Sequence, residues 1–421
     1  MKNYLHPLAA VFLALSAGAT IAAAASPGTD EKSSATAVRD LRTWLAVPRA
    51  NRSAISNAPF AAVPLTKPDA SVATAALWQD HATHIRATRA VEMRAKVIEL
   101  DGMKMKFDWL SFTNAPATNG RSLFISMHGG GGAPPQVNES QWRNQVALGR
   151  GYRPAEGIYV APRAPTDAWN LWHQGHIDKF FDRLIENLVV LENVNPNRVY
   201  ILGYSAGGDG VYQLAPRMAD RLAGAAMMAG HPNDASPLGL RNLPFAIQVG
   251  ANDDGYKRNT VAAGWGRKLD DLQKADPQGY VHFTELHAGK GHWMGMQDRK
   301  AIPWMEKNSR VTLPDKVVWH QSSRTHPRFY WLAVPEPKGG RDIIAHREGQ
   351  TVTLTSTNAT AITVLLNDAM LNLDQPVTIR AGEAKLFSDR VPRTIATLAR
   401  TLSERGDPNL TFSAEVTVTL P

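Results

Sequence analysis

Seven short β-rich runs, at residues 107–112, 122–128, 157–161, 198–202, 224–229, 245–249 and 281–286, are interleaved with longer stretches of helical spacing at 177–191, 207–222 and 260–275. Strands separated by helices of that length return to the same sheet by crossing over it. The pattern therefore predicts βαβ units and an α/β fold, a mostly parallel sheet flanked by helices. Residues 198–202 are nearly all apolar, as expected of a central strand covered on both faces.

Beyond Leu313-Pro314 the register changes. Runs at 317–321, 328–334, 342–347, 351–356, 361–366, 376–380 and 411–420 are short, alternating and rich in Thr and Val, with one helical stretch at 392–405. Their spacing predicts a smaller C-terminal all-β domain, sandwich-like, over 315–421, behind an α/β unit over 104–314. Residues 26–103 read as a leader and helical segment, with one helix around 37–45 and another over 72–100 that ends at the turn pair Asp101-Gly102. The first 25 residues join Lys2, an apolar stretch from Leu8 to Ala22 and the small residues Ala23-Ala24-Ala25. That is the pattern of a cleavable export signal, and a periplasmic or secreted protein is expected. No later stretch reaches the roughly 18 apolar residues a membrane span needs, so no stable membrane insertion is expected after cleavage.

Composition removes several classes of chemistry. With Cys 0, the chain has no disulfide, thiol nucleophile, Cys-ligated zinc or iron–sulfur cluster. Its 46 Lys+Arg against 38 Asp+Glu leave +8 without a polybasic block, and nucleic acid is not expected as a partner.

Four turns and loops at strand ends carry the chemistry. Gly203-Tyr204-Ser205-Ala206-Gly207-Gly208 follows the strand at 198–202 and opens a helix. A nucleophile on so sharp a strand-to-helix turn needs small neighbours, and the turn lifts the serine oxygen above the carboxyl edge of the sheet. The strand at 122–128 ends in His128-Gly129-Gly130-Gly131-Gly132, whose backbone N–H groups can approach a developing oxyanion. The expected donors are Ala206 and Gly130, with Gly131 as the other candidate. Serine needs a base, and the base an orienting carboxylate. After the strand at 245–249, Gly250-Ala251-Asn252-Asp253-Asp254 offers Asp253 by its Gly-x-x-Asp spacing, with Asp254 as runner-up. After the strand at 281–286, the glycine-flanked His292 is the expected base, and His287, close to the strand end, is read as structural. Trp169, Trp172, Trp293 and His231 fall at the same edge and are candidates for a substrate cleft. His173 and His176 have His-x-x-His spacing with no third ligand, and His81 with His84 reads as a polar helix face, so no metal site is expected.

Taken together, the His128-Gly129-Gly130-Gly131 turn, the serine turn, Gly250 to Asp253 and Gly291-His292-Trp293 resemble the α/β-hydrolase superfamily over about 105–310. Within it the chain is similar to exported esterases grouped with polyhydroxybutyrate depolymerases, feruloyl esterases and dienelactone hydrolase-like proteins. The tail, with Phe329-Tyr330-Trp331-Leu332, resembles the β-rich extension of bacterial α/β hydrolases. The lack of cysteine departs from the disulfide-bearing secreted depolymerases. The resemblance implies a cofactor-free serine hydrolase acting on a small-molecule or polymer-linked ester, with Ser205, His292 and Asp253 as its triad. A peptidase or amidase with the same machinery is the near alternative, and a binding protein that keeps the fold is the distant one.

Overall fold

The computed structural model describes residues 30–117 and 119–421, and the export signal expected over 1–25 lies outside them. Two helices come first, α1 (Glu31–Ala46) and α2 (Lys67–Ala95), with Asp30 and Thr66 capping their N-termini by accepting the backbone N–H of Ser33 and Asp69. Helix α2 stops at Lys96, whose φ is +54°. The chain then turns into β1 (Val97–Leu100) and β2 (Met103–Thr113). Asp101-Gly102, read as a helix end, is the tip of this hairpin. Both residues have positive φ, the geometry whose twist matches that of paired strands. A four-residue strand directly after a 29-residue helix leaves too short a run to register as a separate pattern.

The elements that follow are β3 (Arg121–Met127), α3 (Pro135–Tyr152), β4 (Glu156–Pro162), α4 (Gly175–Leu191), β5 (Val194–Tyr204), α5 (Ala206–Arg217), β6 (Gly224–Met228), β7 (Phe245–Gly250), α6 (Arg258–Ala275), β8 (His282–His287) and α7 (Ala301–Met305). The eight strands form one sheet in the order β1-β2-β4-β3-β5-β6-β7-β8. Pairing is antiparallel from β1 to β4 and parallel from β4 to β8. Alternate side chains of the parallel strands serve the two faces. Ile125, Ile201, Met227 and Ile247 pack with Phe180, Leu184, Val211 and Leu269 of α4, α5 and α6. Phe124, Tyr200, Leu202 and Met228 pack with Tyr152 of α3 and Ile302 and Met305 of α7. Every parallel strand thus delivers its carboxyl end to the same edge, where an open α/β sheet carries its ligand site.

Helix α3 has no counterpart in the sequence reading. Its fully buried residues are Asn138, Gln145, Gly149 and Tyr152, so polar and small groups stand where an apolar stripe would have announced a helix. The helix predicted over 207–222 ends at Arg217, after Pro216, and a short 3₁₀ turn covers Ala219–Arg221.

Two sheets make up the tail. β9 (Lys316–Gln321), β12 (Arg341–Glu348), β13 (Thr351–Ser356), β15 (Val377–Ala381) and β16 (Ala384–Asp389) form one. β10 (Arg328–Phe329), β11 (Leu332–Ala333), β14 (Ala361–Leu366) and β17 (Ala414–Thr419) form the other, and α8 (Ile395–Arg405) lies between β16 and β17 in sequence. The run at 328–334 divides because Tyr330, at φ +52°, turns the chain between β10 and β11. Buried tail residues such as Trp319, Trp331, Leu354 and Val364 belong to one continuous apolar cluster with the core beneath α4, α5 and α6.

A buried ionic cluster ties the tail to the sheet unit. Asp407 accepts from Arg221 at 3.1 Å and from Arg310 at 2.7 Å, with all three side chains at most 2% exposed. Arg221 also bonds Asp182 on α4 at 2.8 Å, and Asp220 pairs with Arg405. Removing one partner of such a set leaves an uncompensated buried charge. Asp407→Ala is therefore expected to lower unfolding stability by about 3–5 kcal/mol in urea titrations, through two stranded guanidiniums. The two arginines hold the Asp407 carboxyl down to about 2. A depressed folded pKa means this contribution is present above the ordinary carboxylate pKa of about 4 and is lost as pH falls toward 2. The gap between wild type and Asp407→Ala should accordingly narrow over that window. A variant within 1 kcal/mol of wild type at neutral pH would contradict this account.

Candidate active site

Ser205 stands between β5 and α5 with φ +58° and ψ −121°, a conformation that side-chain-bearing residues adopt at a cost. The surroundings hold it there. The Ser205 N–H donates to Met228 O at 2.9 Å and its carbonyl accepts from Asp209 N at 3.0 Å. A Cβ on Gly203 would run into the carbonyl of Gly207, and one on Gly207 into the carbonyl of Met127. Gly203 is required because the turn closes on itself, and Gly207 because the turn approaches β3.

The glycine turn after β3 is braced by groups that its sequence does not advertise. His128 is buried between Nδ1, which faces its neighbour's carbonyl Gly129 O at 2.6 Å, and Nε2, which accepts from Ala164 N at 3.1 Å. Burial pushes its pKa down to about 4, so the ring is neutral and structural. Asn138 of α3 accepts the Gly131 N–H at 3.0 Å and donates to Ala133 O at 3.2 Å and Asp167 Oδ1 at 2.8 Å. This corrects the place of Gly131 among the expected oxyanion donors, because its N–H is already engaged. Among the described residues, no acceptor takes the N–H of Gly130, at φ +107°, or that of Ala206 at the first turn of α5.

The two aspartates after β7 separate cleanly. Asp253 is 3% exposed and accepts from His292 Nδ1 at 2.9 Å, while its other oxygen meets Arg258 Nη1 at 3.4 Å. Asp254 is exposed and leads into a short 3₁₀ turn. The His292 loop is tied to the serine turn by a residue to which the sequence reading gave no role. Tyr204 donates its hydroxyl to His292 O at 2.6 Å and accepts the N–H of Met294 at 3.0 Å. With Nδ1 on Asp253, Nε2 of His292 is left for the cavity that Ser205 also lines. No hydrogen bond joins Ser205 Oγ to His292 in this structure, and such contacts often tighten only around substrate. His287 is buried and meets Gln248 Oε1 at 2.9 Å, as a structural residue would.

Ser205 lies where two clefts meet. One, of about 650 Å³, is walled by α3 through Val137, Ala147 and Leu148 and by Trp293 and Met296. The other, of about 610 Å³, is lined by Trp169, Asp209, His231 and residues 256–258. Trp169 and Trp293, 64% and 54% exposed, thus border one cleft each. Trp172 borders neither. It is fully buried, donates to His128 O at 2.9 Å and packs against Phe181, because its position lies one turn inside the loop rather than at its surface. His173 is buried too, with a pKa lowered to about 4 by desolvation, and His81 meets Glu186 at 2.6 Å on α4.

No protein-family model matches the chain. Over 133 residues it is 31% identical to a protein of Nocardia uniformis subsp. tsuyamanensis named "Putative esterase NocK", which covers 30% of this chain and 39% of that protein. Among solved structures, it is similar to a thermostable esterase, with 17% identity, a TM-score of 0.41, and 51% of this chain and 62% of that one covered. It is also similar to a ferulic acid esterase from the fungus Anaeromyces mucronatus, with 12% identity, a TM-score of 0.35, and 50% and 88% covered. Scores this low leave the fold to be read from the topology itself. By its sheet order, its crossover connections and the strand–turn–helix that carries Ser205, the unit from β2 to α7 has the α/β-hydrolase fold.

Proposed function

We propose that the protein is an exported serine hydrolase of carboxylic esters, with Ser205 as nucleophile, His292 as base and Asp253 as its orienting carboxylate. The observation that carries this reading is the 2.9 Å bond from His292 to the buried Asp253, at a cavity shared with a serine on a positive-φ turn. Ser205 Oγ attacks the ester carbonyl as its proton passes to His292 Nε2. The carbonyl oxygen, now negative, is met by the N–H groups of Gly130 and Ala206, fixed by the backbone before reaction begins. Asp253 holds the imidazole in the accepting tautomer and stabilises the imidazolium. Collapse expels the alcohol, which takes the proton from His292. Water then enters by the same route in reverse and frees the acid. Export rests on the segment ending at Ala25.

Ester rather than amide chemistry follows from the leaving group and the cleft. An alcohol departs with little help, whereas an amine must be protonated by a well-placed imidazolium. The wall of Val137, Ala147, Leu148, Trp293 and Met296 suits an apolar group. The expected kcat/KM on a short alkyl ester exceeds that on the matched amide by at least about 10³, or roughly 4 kcal/mol of barrier. Alkyl leaving groups are needed, since activated esters flatter any serine hydrolase. Equal turnover of an aminoacyl amide and its alkyl ester would replace the esterase reading with a peptidase one.

A further inference from the structure

The cleft opposite α3 differs from its neighbour in charge. Arg258, on its floor, is committed to Asp253 at 3.4 Å and lies over the Tyr256 ring at 4.8 Å from the centroid. Asp209 faces the same space half-buried, accepts the His231 N–H at 2.6 Å, and has its carboxyl pKa raised by desolvation. Asp254 is exposed and outside the lining. Lys257, exposed and lining the cleft, has no carboxylate partner among the described residues. Of the two cations in the lining, Arg258 is paired with Asp253, and Lys257 is left without a carboxylate among the described residues.

The backbone holds this lysine in an unusual way. Tyr256 and Lys257 both take φ +55°, two consecutive non-glycine residues in the left-handed region. L-residues reach that region at a cost, and strain of this kind persists only where the surroundings fix it. Here Lys257 N bonds Asp254 O at 2.7 Å, Asn259 N bonds Asp253 O at 3.0 Å, and Asn259 Nδ2 bonds Ala251 O at 2.9 Å. The anchors belong to the same loop that carries Asp253, so the backbone of Lys257 is fixed on the loop that meets His292.

We infer that the preferred ester bears a carboxylate, received by Lys257 in the cleft beside Trp169 and His231, while its hydrocarbon part lies against α3. The inference rests on the esterase reading and narrows its substrate class. A single ammonium at the mouth of a partly desolvated cleft selects by charge and steers the approach of anions, and its effect shrinks with salt.

Two matched pairs test it, one for each side of the ester bond. The acyl pair is p-nitrophenyl hydrogen glutarate against p-nitrophenyl valerate. The alcohol pair is 4-carboxyphenyl butyrate against 4-carbamoylphenyl butyrate. For each, the anionic-to-neutral ratio of kcat/KM is compared between wild type and variant, which cancels the intrinsic reactivity of the esters. Lys257→Glu is expected to lower that ratio about tenfold in one pair at low ionic strength, since reversal removes an attraction and adds a repulsion. Lys257→Gln should fall between, and added salt should shrink the difference. The pair that responds identifies which side of the ester carries the anion. A ratio unchanged within about twofold in both pairs would overturn the inference while leaving the esterase reading intact. No turnover of any of the four by the wild type would remove both.

Discussion

Ser205→Ala is expected to lose at least about 10⁴ of the turnover on a short acyl ester and all labelling by a fluorophosphonate probe. The size follows from what the side chain does. Without Oγ there is no acyl-enzyme, and the remaining oxyanion donors and cleft can only assist direct attack by water, which leaves a small residue of catalysis. Alanine removes only the oxygen, the turn keeps its Cβ, and Met228 O and Asp209 N still hold the backbone. The variant should therefore melt within a degree or two of wild type, or slightly above it. Labelling equal to wild type would place the nucleophile elsewhere. Wild-type protein that neither labels nor turns over esters would favour a binding protein on the hydrolase fold.

Asp253→Asn is expected to cost about 10⁴ in turnover, and Asp254→Asn less than about threefold. The contrast comes from hydrogen-bond chemistry. A carboxylate at 253 only accepts, so His292 must present its proton at Nδ1 and its lone pair at Nε2. An asparagine can turn its NH₂ group toward the ring, and then Nδ1 becomes the acceptor and Nε2 carries the proton. That tautomer cannot take a proton from Ser205. Arg258 adds a reason for the flip, because its guanidinium, 3.4 Å from the other oxygen, prefers the amide oxygen on its own side. Asp254 is exposed and holds no catalytic group, so the same substitution there changes only a surface charge. Kinetics at saturating substrate, with circular dichroism as the check on folding, read the difference. A reversed ranking would transfer the role to Asp254, and equal large losses in two folded variants would mean that both carboxylates act on His292.

Much of the candidate site was legible because each element announces itself locally. Strands β3, β5, β7 and β8 are β-rich runs with a glycine-bearing turn behind them, and period and punctuation are properties of adjacent residues. Ser205, Asp253, His292, Gly130 and Ala206 could be named on that basis. Trp172 could not be sorted from Trp169, because the two lie three residues apart in one loop and only packing decides which ring is swallowed by the core. Gly131 could not be sorted from Gly130 for a similar reason. The acceptor that claims its N–H, Asn138, sits on a helix whose inward face is polar.

The sequence by itself determined the order of the proposed chemistry along the chain: the turns bearing Ser205 and Asp253 and the loop bearing His292, each behind a strand, with glycine where the backbone closes on itself at Gly203 and Gly207. Tertiary structure alone decided how those loops are held. Tyr204 fastens the His292 loop across 88 residues of chain, Arg258 shares Asp253 with His292, and Asp407 gathers Arg221 and Arg310 from 186 and 97 residues away in sequence. The physical reason is one of range. Propensity, period and turn chemistry act between neighbours in sequence, whereas a buried hydrogen bond or ion pair is chosen by which side chains meet once the sheet has formed, and no local pattern records its partner.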